Sequence, residues 1–102
     1  MNDSLRVKIE YAKDRIERSK EDLDATKAMF ETNRYRVANN RAYYSIFHAM
    51  RAVLAFDGFD SKKHSGIIAE FRKSYIKDGI FNKELSTLIG LASEIRKASD
   101  YE

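Results

Sequence analysis

The stretch NNRAYYSIFHAMRAVLAF, residues 39–56, decides how this chain folds. Its apolar residues are dense and recur at helical spacing, so it reads as a helix buried on most sides. Tyr43, Ile46, Met50, Val53 and Leu54 share one stripe, enough for a core face by themselves. Yet the same helix carries Arg41, His48 and Arg51, and charged side chains are rarely buried without a partner or a task. At about 100° per residue, positions seven apart nearly eclipse one another. Arg41 and His48 therefore lie two turns apart on one face, roughly 10 Å along the axis. Tyr44, Ser45, Arg51, Ala52 and Ala55 fall close to that face. The polar residues are segregated, and the small ones beside them allow another helix to come close.

Outward from this helix the spacing predicts three more. Before it, a helix from about Ser4 to Phe30 is expected, with Ser4 or Asp3 as N-cap. Its apolar positions Leu5, Ile9, Ala12, Ile16, Leu23 and Phe30 form a narrow seam under a highly charged outer face. "TNR" breaks it, and Asp57-Gly58 stops the second helix. A third helix covers about His64 to Ile76, with Ile67, Ile68, Phe71 and Tyr75 inward. After the turn "KDGIFN", Asn82 can cap a fourth helix through Leu85, Leu88, Ile89, Ala92, Ile95 and Ala98. The expected fold is all-α, a single domain over residues 1–102, with antiparallel packing because the connections are short.

Composition narrows the chemistry. The 102 residues contain no proline, four glycines and no cysteine, so disulfides, thiolate metal sites and cysteine nucleophiles are excluded. Two histidines without a clustered carboxylate set argue against a transition-metal site, and no cofactor is implied. No apolar run of about 18 residues could span a bilayer, and no signal peptide opens the chain, so a cytoplasmic protein without membrane partners is expected. The net charge is +3, unevenly spread. Between Glu31 and Asp57 there is no acidic residue, while Arg34, Arg36, Arg41 and Arg51 fall there. Such a gap leaves a locally positive surface that suits a phosphate-bearing partner.

The stretch "NNRAYYSIFHAMRAVL" resembles the hallmark segment of HEPN domains, in which an arginine is followed after four to six residues by a histidine; here the gap from Arg41 to His48 is six. "KKHSGIIAEF" and "RKASDYE" are similar to two further segments of the bacterial and archaeal branch, in matching order and spacing. The resemblance covers about Arg34 to Tyr101 and implies a four- or five-helix bundle that dimerises with both Arg/His pairs near the interface. It implies a metal-independent endoribonuclease, the toxin of a pair whose antitoxin is a minimal nucleotidyltransferase. The alternative is a non-catalytic HEPN module that binds a nucleotide or a nucleotidyltransferase partner. Relatives of this look continue past the Asp-Tyr segment into a further helix, and the surface that helix would cover is expected here to be met by another protomer, by a partner chain or by a further stretch of a longer protein. Within residues 1–102 a groove between the first and fourth helices is therefore expected to stay open, with Ile16, Leu23, Leu88 and Ile95 exposed.

The residues present suit that chemistry. Metal-free RNA cleavage needs a base for the 2′-OH, an acid for the leaving 5′-oxygen and a cation on the phosphate. His48 can serve as base or acid near neutral pH, and two copies in a dimer could do both. Arg41 would hold the scissile phosphate by its planar fork. Arg51 could add charge or pair with Asp100, and Tyr44 could stack a base or simply pack. Lys62, Lys63 and His64 head the third helix, where an anion could sit. Arg96, Asp100 and Tyr101 read as structural. Ala42 stands where many active members carry a polar residue after the arginine, and Met50 where some carry a tyrosine open to adenylate.

Overall fold

The structure, a computed structural model, describes the backbone of residues 2–101 and the side chains of residues 2–98. Helix α1 spans Asp3–Glu31, α2 Tyr35–Phe56, α3 His64–Phe71 and α4 Lys83–Tyr101. No strand occurs among the described residues. The N-cap of α1 is Asn2 rather than Asp3 or Ser4. Its side chain accepts the Leu5 N–H at 2.8 Å, and Asp3 then falls in the first turn, where its charge complements the helix dipole. Asn33, in the left-handed region at φ 61°, reverses the chain after α1. Gly58, at φ 81°, ends α2 in a Schellman motif, with the N–H of Phe59 on the Leu54 carbonyl and that of Gly58 on Ala55.

Helix α2 is the central element. Along one flank lies α1, and along the other lie α3 and α4. On the α3/α4 side, Tyr43, Phe47, Met50 and Leu54 pack with Ile67, Phe71, Ile76 and Ile89 into one buried cluster. Fully burying side chains of this size contributes about 1.5–3 kcal/mol each, so this flank holds most of the stability. The chain after α3 continues as a π-helix, Arg72–Ile76, where a regular helix was expected. The wider turn brings Phe71 and Ile76, five residues apart, onto the same buried side.

The α1 flank packs differently from the expected seam. Of that seam Ala12 is buried and Ile9 half-buried as expected, but Leu5, Ile16, Leu23 and Phe30 are exposed, and Ser19 and Asp22, outside the seam, meet α2 beside Ala12. The reason is the partner surface. Opposite them α2 offers Ala38, Arg41, Ser45 and Ala52, small or polar residues that admit close approach but reward polar partners. Ser19 Oγ donates to the Ser45 carbonyl at 2.7 Å, and Ser45 Oγ donates to the Ser19 carbonyl at 2.9 Å. Polar groups shared this way need no water between the helices.

Because α1 and α4 sit on opposite flanks of α2, the apolar side between them stays open. Ile16, Leu23, Leu88 and Ile95 are 37–56% exposed, as the sequence led us to expect. The loop before α3 folds back on its first turn. A Cβ on Gly66 would meet Ser61 Oγ at 2.4 Å, so only glycine fits there without displacing that loop.

Candidate functional site

Arg41 and His48 are brought together by a residue that sequence reasoning missed. Asp22 of α1 reaches across the helix pair. One of its carboxylate oxygens lies 3.0 Å from Arg41 Nη1 and the other 3.7 Å from His48 Nε2. The Asp22 side chain is 13% exposed, so this is a largely desolvated three-residue cluster. A signal for it existed in the short turn between α1 and α2. Counting outward from that turn sets Asp22 opposite Arg41, as it sets Ser19 opposite Ser45.

Arg41 is held firmly. Besides Asp22, its Nε and Nη2 both donate to Asn40 Oδ1, and its guanidinium lies 5.1 Å from the centre of the Tyr44 ring. His48 is less than half exposed, and its Nδ1 is buried without a hydrogen-bond partner, which leaves Nε2 as the nitrogen able to exchange a proton. Burial pushes the His48 pKa below its ordinary value. The Asp22 charge opposes that shift, and Arg15, Arg18 and Arg51 add to it. His48 is therefore poised neutral around pH 7, ready to accept a proton.

Among the other candidates, Tyr44 joins the two histidines, its ring centre 6.1 Å from His48 and 5.8 Å from His64. His64 packs against Phe47 with ring centres 4.1 Å apart and the planes tilted by 32°, and its Nδ1 lies 3.0 Å from the Tyr43 hydroxyl. Arg51 has its partner on the loop after α2. It makes a two-pronged salt bridge with Asp60, Nε at 2.9 Å and Nη2 at 3.1 Å. The reason is local: the loop after α2 carries Asp60 back past the last turns of that helix. Lys62 and Lys63 are exposed on the loop ahead of α3. The expectations about the side chains of Asp100 and Tyr101 lie outside the described residues.

The groove that opens onto the cluster holds about 440 Å³ and is lined by Asp14, Glu17, Arg18, Glu21, Asp22, Arg41 and His48. Four carboxylates thus face two arginines, so the groove by itself does not attract an anion. Among the described residues no three of His, Cys, Asp or Glu gather as a metal-ligand set, and no helix is long and apolar enough to cross a membrane.

Comparison with known proteins fits this geometry. The HEPN domain pattern matches residues 12–102. A UPF0332 protein of Thermotoga maritima is 37% identical over 101 residues, covering 99% of this chain and 74% of that protein. Two proteins of Methanocaldococcus jannaschii, each named "putative toxin", are 34% and 35% identical and are covered to 73% and 66% of their length. No solved structure matches significantly. An arginine and a histidine seven residues apart on a central helix, joined through one carboxylate, and a pattern match over nine-tenths of the sequence lead to one conclusion: the chain belongs to the HEPN domain family.

Proposed function

We propose that this protein is a metal-independent endoribonuclease acting as the toxin of a toxin–antitoxin pair, with Arg41 and His48 as its catalytic residues. The observation that carries the reading is the meeting of both side chains on Asp22, at 3.0 and 3.7 Å. Arg41 balances charge on the scissile phosphate while Asn40 and Asp22 keep its fork oriented. Neutral His48 takes the proton of the ribose 2′-OH as that oxygen attacks the adjacent phosphorus. The P–O5′ bond breaks, the 5′-oxygen takes a proton, and a 2′,3′-cyclic phosphate remains. When two copies of the chain pair across this face, the second His48 supplies that proton in the molecules where it is charged, a minority near pH 7 given its lowered pKa. A minimal nucleotidyltransferase is the partner the family resemblance suggests as antitoxin.

The test is incubation of the purified protein with RNA in EDTA. Cleavage is expected to survive chelation and to fall by about 10²-fold or more in both His48→Ala and Arg41→Ala, with helicity unchanged. Cleavage that needs magnesium, or that persists in His48→Ala, refutes the mechanism. A monomer in light scattering at high micromolar concentration refutes the paired arrangement. A second reading, a non-catalytic module that binds a nucleotide or a nucleotidyltransferase, is favoured by the carboxylates lining the groove, which oppose the approach of phosphate. RNA left intact by the wild type, together with binding of such a partner, would replace the first reading with the second.

A further inference from the structure

On the far side of Tyr43 and Tyr44 from the acidic groove lies a second concavity, between α3 and α4. It holds about 340 Å³, and its polar lining is His64, Ser65, Arg72, Ser93, Arg96 and Lys97. Among the described residues the charge balance is the reverse of that at Arg41 and His48. Two guanidiniums, an ammonium, two hydroxyls and an imidazole converge, and no carboxylate lines the cleft among the described residues.

The cleft is built rather than incidental. Arg72 stands at the start of the π-helix, and its Nη2 donates to the Ser86 carbonyl at 3.0 Å. Its Nε is buried with no hydrogen-bond partner. Gly90, in the interior of α4, makes room for it: a Cβ there would come within 3.3 Å of Arg72 Nη2. A glycine inside a helix costs about 1 kcal/mol relative to alanine, which here is offset by space for the guanidinium. Arg96 lies over the Tyr43 ring at 4.7 Å and 6.0 Å from the Tyr44 ring centre. The Tyr43 hydroxyl and His64 Nδ1 share a hydrogen bond at 3.0 Å, which fixes the imidazole against the cleft. In the tautomer that accepts from that hydroxyl, His64 carries its proton on Nε2, a donor for an anion.

We propose that this cleft is a phosphate subsite for single-stranded RNA, holding a phosphate of the same strand whose scissile phosphate meets Arg41 and His48. Tyr44 sets the spacing, with Arg41 5.1 Å from its ring and Arg96 6.0 Å. The cleft thereby supplies the attraction that the acidic groove lacks. This inference rests on the ribonuclease reading for its strand, but its test does not need cleavage.

The probe is a short single-stranded RNA, 2′-O-methylated throughout so that it has no attacking hydroxyl, followed by fluorescence anisotropy over a range of salt. Ser65→Asp places a carboxylate in the cleft while sitting in the first turn of α3, where an acid favours the helix. Ser65→Asn is its neutral control, and Lys97→Gln removes an exposed cation. Ser65→Asp and Lys97→Gln are expected to weaken binding about tenfold at low salt and to flatten the salt dependence by about 0.7 in log–log slope per lost phosphate. Ser65→Asn should bind like the wild type. Equal binding by the wild type and Ser65→Asp overturns the cleft, whatever cleavage shows. So does binding of a free mononucleotide as tight as that of the strand. Loss of binding in Ser65→Asp from a protein that cleaves no RNA keeps the cleft and removes the ribonuclease reading.

Discussion

Replacing Asp22 with asparagine separates the charge of this residue from its shape. In the native cluster the carboxylate accepts from Arg41 at 3.0 Å and lies 3.7 Å from His48 Nε2. A hydrogen bond to a charged group contributes about 1.5–3 kcal/mol net. The Arg41 side chain is 37% exposed, so solvent screening places the expected loss near the lower end, about 1–2 kcal/mol. For a domain of this size that lowers the melting temperature by roughly 5–12 °C. The second consequence is electrostatic. Asp22 is the group that pulls the His48 pKa upward against burial and three arginines, so without it the titration midpoint of His48 moves down. His64 serves as an internal control, since its own downward shift comes from burial, Arg96 and Arg51. With only two histidines in the chain, proton NMR resolves both imidazoles across a pH series. A His48 midpoint in Asp22→Asn at or above the wild-type value would show that Asp22 does not act on His48. A melting temperature within about 2 °C of wild type would show that the Arg41 bond carries no stability.

Other expectations follow from the same geometry. Ser45→Leu should destabilise the protein by about 1–3 kcal/mol in urea titration, because the bulk enters the close α1–α2 contact and the bond from Ser45 Oγ to the Ser19 carbonyl is lost. Gly66→Ala should cost a similar amount, about 1–3 kcal/mol, since the new methyl overlaps Ser61; Ser61→Gly in the same chain should recover part of it. Both histidines have folded-state pKa values below the ordinary 6.5, so the unfolded chain binds more protons in the window beneath that value. Their contribution to stability is therefore complete above about pH 6.5 and is lost as pH falls through the folded pKa values. His64→Gln should show a shallower loss of stability than the wild type between pH 7 and 5 in paired denaturation curves, and an equal slope would refute the assignment.

Much of the fold was legible from residues 39–56 and their flanks. The ends of α2 follow from "TNR" on one side and Asp57-Gly58 on the other, because a left-handed residue must stop a helix wherever it stands. The apolar stripe of α2 likewise announced its buried side, and Tyr43, Met50 and Leu54 are in the core. The pairing of Arg41 with His48 on one face is a consequence of helical geometry alone, as is their placement two turns apart. The sequence also carried the family pattern, since spacing within a helix is a local property.

What the sequence could not decide was which face of one helix meets which face of another. Periodicity singled out Leu5, Ile9, Ala12, Ile16, Leu23 and Phe30 on α1, yet of these Ala12 alone is buried, and Ser19 and Asp22 make the polar contacts to α2. Docking is decided by the surface opposite, and α2 presents Ser45 and Arg41 there, which reward a hydroxyl and a carboxylate more than a leucine. The same holds for Arg51, drawn to Asp60 by the path of a loop, and for the cleft of Arg72, Arg96 and His64, assembled from helices α2 to α4. Helical periodicity is set by bonds within one segment. Charge partners, and the cavities between segments, belong to the tertiary arrangement because they depend on distances that no local rule encodes.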